Sequence, residues 1–178
     1  MDEKQNKKKS EILSWIQIIV VAAVIAFLLN NFIIANSRVP SGSMENTIMT
    51  GNRIIGNRLQ YKFSDPKRGD IVIFKFPDNE KKYFVKRIIG VGGDIIDIKN
   101  GKVYLNNSST PLDEPYIKEP MRVMQDMHFE VPEGAYFCMG DNRNNSDDAR
   151  FWNNHYVYKN KIIAKVMFRY WPSIKPLK

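Results

Sequence analysis

From Ile12 to Ser37 the chain carries no charged residue, a run of 26 positions, and Ile18 to Leu29 is unbroken apolar sequence. A helix packed on a soluble core keeps a polar face, and this stretch has none. After Asn30 and Asn31 the apolar run resumes as Phe32-Ile33-Ile34-Ala35. A membrane-spanning helix needs about 20 mostly apolar residues, since the hydrocarbon core is about 30 Å thick and each residue rises about 1.5 Å. Trp15 to Ile34 supplies that length, with Trp15 suited to the interface. The expectation is a transmembrane helix over 15–35, a short N-terminal segment over 1–14 and one domain over 36–178. A cleavable signal peptide competes, with Lys7, Lys8 and Lys9 as its basic region and Ala35 at the cut. The resumed apolar stretch favours a retained anchor.

Basic residues set the expected orientation. Lys4, Lys7, Lys8 and Lys9 precede the span, and only Arg38 follows closely. The positive-inside rule then puts the N-terminus in the cytoplasm and the domain outside. A net charge of +8 favours anionic surfaces. Lipid is the expected partner rather than nucleic acid, because no zinc-finger spacing or RNA-binding aromatic motif is present. The single cysteine, Cys138, excludes an intramolecular disulfide and a clustered zinc site. It reads as a small buried apolar residue.

Beyond the span the pattern is that of strands. Asp70–Phe76 and Tyr83–Ile89 are β-branched and aromatic, bounded by Gly69, Pro77 and Gly90. Asp94–Ile98 and Lys102–Leu105 flank Asn100-Gly101, the strongest short hairpin signal. Met127–Val131, Ala135–Met139 and Lys161–Tyr170 are further strand candidates, and Met44–Thr50 is helix-like or a turn. The polar stretch Asn106–Met121, with three prolines, suggests an excursion or small subdomain over about 100–125. The expected fold class is mainly β, an antiparallel sheet or barrel-like domain behind one N-terminal transmembrane helix.

Little in the chain can run a reaction. It has two histidines, His128 and His155, neither in a recognisable triad motif. Ser43 lies in Pro40-Ser41-Gly42-Ser43-Met44, which is neither a Gly-x-Ser-x-Gly elbow nor a Ser-x-x-Lys motif. The polar run Asp141–Asp148 fails as a calcium loop, with arginine at its third position and serine at its sixth. No cofactor or metal is expected. What remains is a serine and a lysine. A serine hydroxyl needs a base to take its proton, and a lysine can serve only when neutral, against an ordinary pKa of about 10.4. Burial lowers that value. Strand alternation puts Phe84, Lys86 and Ile88 on one face and Arg87 on the other, so Lys86 would sit between apolar neighbours. Taken singly, Lys86 also fits a surface lysine at a strand edge, and Ser41-Gly42-Ser43 also fits a plain turn.

Together these segments resemble the type I signal peptidases, membrane-bound serine–lysine proteases, in a compact Gram-positive-like form. Pro40-Ser41-Gly42-Ser43-Met44 is similar to the nucleophile box, and Arg68-Gly69-Asp70-Ile71-Val72 to the next. Val85-Lys86-Arg87-Ile88-Ile89-Gly90 with Gly92-Gly93-Asp94 is similar to the lysine box. Gly140-Asp141-Asn142-Arg143, Asn145-Ser146 and Asp148-x-Arg150 are similar to the last. The resemblance implies Ser43 as nucleophile and Lys86 as general base and later acid. It implies Ser41 and the Ser43 N–H as oxyanion donors, and Ser146 as the group that orients the lysine. Asp148 and Arg150 would be a supporting pair reached by Arg87, and Arg143 would hold the loop. Val39, Met44, Ile48 and Val85 would line shallow pockets for the small residues of Ala-x-Ala sites. The substrates would be signal-peptide-bearing preproteins, bound as an added strand. Two other classes compete: a tethered β-domain that binds without catalysis, and a soluble self-cleaving serine–lysine regulator. The apolar span and the lack of a helix-turn-helix argue against the second.

Overall fold

Short β-branched and aromatic runs build the chain beyond its N-terminal helix into antiparallel strands. The computed structural model describes the backbone of residues 2–177 and the side chains of residues 11–177. Two compact units result, Met1–Ile34 and Ala35–Lys178.

In the first unit, helix α1 (Asp2–Leu28) runs without a break into a π-helical turn, Leu29–Ile33. At about 1.5 Å per residue, α1 is about 40 Å long. Glu11–Ile33 is long and apolar enough to cross a membrane, and all its side chains are exposed. The wider turn contains Asn30 and Asn31, and the Asn31 amide donates to the Phe27 carbonyl at 2.9 Å. The helical run stops short of the expected residue 35. Ile34 is already extended, at φ −102° and ψ 132°, and opens strand β1 (Ile34–Arg38). Ala35, the second residue of that strand, already belongs to the second unit.

The second unit holds two sheets. The larger is built from β1, β2 (Arg53–Asn57), β3 (Ile71–Phe76), β4 (Asn79–Val91), β8 (Ala135–Met139), β9 (Val157–Tyr158), β10 (Ile162–Trp171) and β11 (Lys175–Pro176). Its order is β1-β2-β10-β3-β4-β8-β9, with β11 on β10. The smaller sheet has β5 (Ile95–Lys99) between β6 (Lys102–Leu105) and β7 (Met127–Glu130). A single helical turn, α2 (Gln60–Phe63), follows β2. The strands expected at 70–76, 94–98, 102–105 and 135–139 fall within a residue or so of those observed, whereas β4 is much longer than the run that announced it. Asn100 and Gly101 both have positive φ, 51° and 69°, and close the two-residue hairpin between Lys99 and Lys102. That is the turn for which Asn-Gly is suited. Short β2, with Gly56 as its fourth residue, gives little alternation in the sequence and was not foreseen.

Each sheet face feeds a core. Val72, Phe74, Ile88, Ile89, Phe137, Met139 and Trp152 belong to one cluster, and Val39, Met44, Ile48, Ile54, Ile73 and Val166 to another. Phe76 stacks on Phe84 at 4.5 Å between centroids, and both rings approach Trp152. Asn106–Asp126 contains no regular strand. It is fixed instead by Met121 in the core, by the Arg143–Glu114 ion pair and by hydrogen bonds such as the Lys118 N–H to the Asp141 carbonyl at 3.0 Å.

Candidate active site

Strand β4 supplies the lysine. Lys86 pairs with Val72 across the β3–β4 ladder, and Arg87 pairs with Met139 of β8. Because successive strand residues face opposite ways, the two cations separate although they are adjacent in sequence. Lys86 is only 3% exposed and its Nζ lies 5.7 Å from the Phe84 ring centroid. Arg87 goes the other way and forms two bonds to Asp141, at 2.9 and 2.8 Å, plus one to the Gly69 carbonyl. The expectation that Arg87 reaches the Asp148–Arg150 pair is therefore corrected. The opposite face of β4 gives it Asp141, and the Tyr116 ring covers its guanidinium at 4.0 Å.

The serine comes from the turn after β1. Backbone bonds from Val39 to Asn52 and from Gly51 to Val39 close the loop at its base. Within it the Ile48 N–H reaches the Met44 carbonyl at 2.8 Å, giving one helical turn. The Ser43 carbonyl accepts from the Asn142 N–H at 3.0 Å, and the Gly42 carbonyl accepts from the Asn142 amide at 2.9 Å. The Thr47 hydroxyl donates to Asp141. Asp141 thus ties the serine turn to the strand bearing Lys86. A Cβ at Gly140 would run into both the Ser43 carbonyl oxygen and the Ser146 hydroxyl, so the close approach of the two loops requires glycine there.

Ser43 and Lys86 line the same cavity, of about 550 Å³. No hydrogen bond joins them. The Ser43 hydroxyl lies 3.4 Å from the Ser41 hydroxyl, and Lys86 Nζ donates to Ser146 Oγ at 2.9 Å. The Ser43 N–H has no acceptor among the described residues and so can serve an incoming oxygen.

The electrostatics favour a neutral amine. Burial lowers the Lys86 pKa from 10.5 to about 8, against the opposing pull of the Asp148 and Asp147 carboxylates. Asp148 is wholly buried. Burial alone would raise its carboxyl, but Arg150 binds both oxygens, at 2.8 and 2.9 Å, and holds it below the usual range. Its carboxylate also accepts the Gly140 N–H at 3.0 Å. Arg143 stays inside the loop, bonded to the Gly140 carbonyl and to Glu114, and does not line the cavity.

Val39, Met44 and Val85 line the cavity with Pro40, Ile73 and Phe84. Ile48 does not. It is fully buried in the core beneath, because the helical turn at 44–48 directs it inward, and its expected place in the pocket is corrected. Cys138 is buried in β8, where burial pushes its thiol pKa up. His128 bonds Asp97 at 2.9 Å on the smaller sheet, and His155 bonds the Ala149 carbonyl. Neither histidine lines the cavity. Sequence reasoning gave no role to Asp141, Thr47, Gly140 or Tyr116. Asp141 and Gly140 lie inside the boxes already noticed and Thr47 in the helix-like segment Met44–Thr50, but Tyr116 lies in the polar excursion, which carried no signal.

An antiparallel β-domain with a serine and a buried lysine on one cavity, following an apolar N-terminal helix, defines the class. Residues 12–171 match the family described as signal peptidase, peptidase S26. The chain belongs to this family of peptidases, whose members cleave signal peptides from preproteins. It is 35% identical to a probable signal peptidase I-2 of Synechocystis, over 96% of this chain and 80% of that protein. It is 37% identical to signal peptidase I of Bacillus amyloliquefaciens, over 84% of this chain and 83% of that one. Signal peptidase IB of Staphylococcus aureus is 33% identical over 92% of each. A crystal structure of a signal peptidase I from Enterococcus faecalis is similar over 57% of this chain and 97% of its own, with 29% identity and a TM-score of 0.48.

Proposed function

We propose that this chain is a membrane-anchored serine endopeptidase that removes N-terminal signal peptides from exported preproteins after small residues, using Ser43 and Lys86. The observation that carries the reading is the state of Lys86. It is buried, its amine is held by Ser146 at 2.9 Å, its pKa is lowered to about 8, and it shares a cavity with Ser43. A serine near a lysine that is largely neutral at mildly alkaline pH has a base for its proton.

In the proposed reaction a preprotein segment lies along the cavity as an extended strand. Lys86 takes the Ser43 proton as the hydroxyl attacks the scissile carbonyl. The free Ser43 N–H and the Ser41 hydroxyl receive the oxyanion. Lys86 then protonates the leaving amine, and water repeats the sequence on the acyl-enzyme. The apolar lining from Val39, Met44 and Val85 suits small side chains beside the scissile bond. Asp148 and Arg150 hold the loop that carries Ser146. The helix over Glu11–Ile33 anchors the enzyme, with its N-terminus in the cytoplasm and the domain outside, by the bias of the N-terminal lysines.

The test is cleavage of a purified preprotein by the full chain reconstituted in vesicles, beside Ser43→Ala and Lys86→Ala. Loss of cleavage in both variants, with thermal unfolding retained, is expected. Full activity in either one rules out the dyad.

A further inference from the structure

The loop that carries Ser146 also presents a carboxylate to the cavity. Ser146 is extended, at φ −133° and ψ 120°, so neighbouring side chains alternate in direction. Ser146 and Asp148 are 8% and 0% exposed, whereas Asp147 between them is exposed and lines the cavity. Asp147 is the only acidic residue in that lining, and it makes no hydrogen bond or ion pair with the described residues. Tyr83, 62% exposed, lines the same cavity. A carboxylate and an open aromatic face are the groups that bind an ammonium or guanidinium. The chain as a whole is strongly basic, at +8, so this local negative charge stands against the overall field.

We propose that Asp147 is a specificity-determining residue that favours preproteins with a lysine or arginine flanking the small residues at the cut. This rests on the peptidase reading above. The apolar lining accepts the small side chains, and Asp147 takes the cation beside them. Arg38, also in the lining and without an ion pair among the described residues, disfavours a second cation at its own position. Asp147 acts on Lys86 as well, but that influence is common to all substrates and cancels in a ratio between them.

The experiment uses the full chain in vesicles and matched preproteins carrying lysine, glutamine or glutamate at each position flanking the cut. The readout is the ratio of kcat/KM between substrates, for wild type, Asp147→Asn, Asp147→Glu and Asp147→Lys, at low and high salt. In wild type, lysine is expected to exceed glutamine by roughly three- to fivefold at one position, the worth of one exposed ion pair. The preference should shrink with salt, vanish in Asp147→Asn, persist in Asp147→Glu and reverse towards glutamate in Asp147→Lys. A wild-type ratio near one at every position overturns the proposal, and so does a preference unchanged in Asp147→Asn. Failure of wild type to cleave the glutamine substrate instead overturns the peptidase reading itself.

Discussion

Lys86 Nζ donates its hydrogen bond to Ser146 Oγ, at 2.9 Å, and makes none to Ser43. The amine is thus fixed before substrate arrives by a residue 60 positions away in sequence. In substrate-free enzymes, hydrogen bonds between base and nucleophile are often long and tighten only when substrate binds. Ser146→Ala removes the fixed bond and leaves the amine free to swing. The expected result is a fall in kcat of roughly 10- to 100-fold, the scale of a buried hydrogen bond, with KM little changed. Steady-state cleavage of one preprotein checks it, and an unchanged kcat excludes the orienting role.

The pH profile follows from the same amine. Only neutral Lys86 can accept a proton, and its pKa is about 8. The rate should therefore rise with pH through about 8 and fall on acidification. A profile that stays flat down to pH ~5 contradicts a lysine base.

Burial of Lys86 also has a stability cost. Its folded pKa, about 8, lies below the ordinary 10.5. Between those values the unfolded chain holds a proton that the folded chain does not, so stability rises with pH across that window. Below it the whole cost remains, about 3 kcal/mol at about 1.4 kcal/mol per pH unit. Lys86→Met keeps the shape and removes the charge. It should be inactive yet melt about 5–10 °C higher at neutral pH, as read by thermal unfolding in detergent. A lower melting temperature contradicts the stated cost.

Local pattern made most of this legible, and long-range pairing did not. The alternation of Phe84, Lys86 and Ile88 correctly put the lysine among apolar groups, because strand periodicity is a local property. Asn100-Gly101 placed its hairpin for the same reason. The partner of Arg87 was misread because Asp141 is 54 residues away, and nothing near Arg87 names it. Ile48 was misplaced because a single helical turn within a loop has no period to read. Tyr116 was invisible because its stacking on Arg87 depends on how an irregular segment crosses the loops.

The Arg87–Asp141 pair is a structural tie, and its two halves are not equivalent to an apolar filler. Both side chains are nearly inaccessible, at 2% and 0%. Asp141→Ala leaves a buried guanidinium with only the Gly69 carbonyl and the Tyr116 face. The expected loss is about 3–5 kcal/mol, seen as a large drop in melting temperature. Arg87→Met combined with Asp141→Leu should recover much of that loss, since no charge is then stranded. If the double variant is as unstable as the single one, packing rather than the ion pair holds the loops.

Gly140 offers the sharpest separation of fold from chemistry. Its Cα faces both the Ser43 carbonyl and the Ser146 hydroxyl, with no room for a Cβ. Gly140→Ala must push the serine turn and the lysine-orienting loop apart. The serine turn gives Met44 and Ile48 to one core cluster and the other loop gives Ala149 to the second, but most members of both clusters come from the strands. The variant should fold, with a modest fall in melting temperature. Its kcat should drop by about 100-fold, because a displacement of about 1 Å between reacting groups is enough for that. Its pH profile should also move, since Ser146 no longer holds the amine at the same place. Activity close to wild type, with an unmoved profile, means that the two loops can separate without cost and that their contact does not set the geometry of the site.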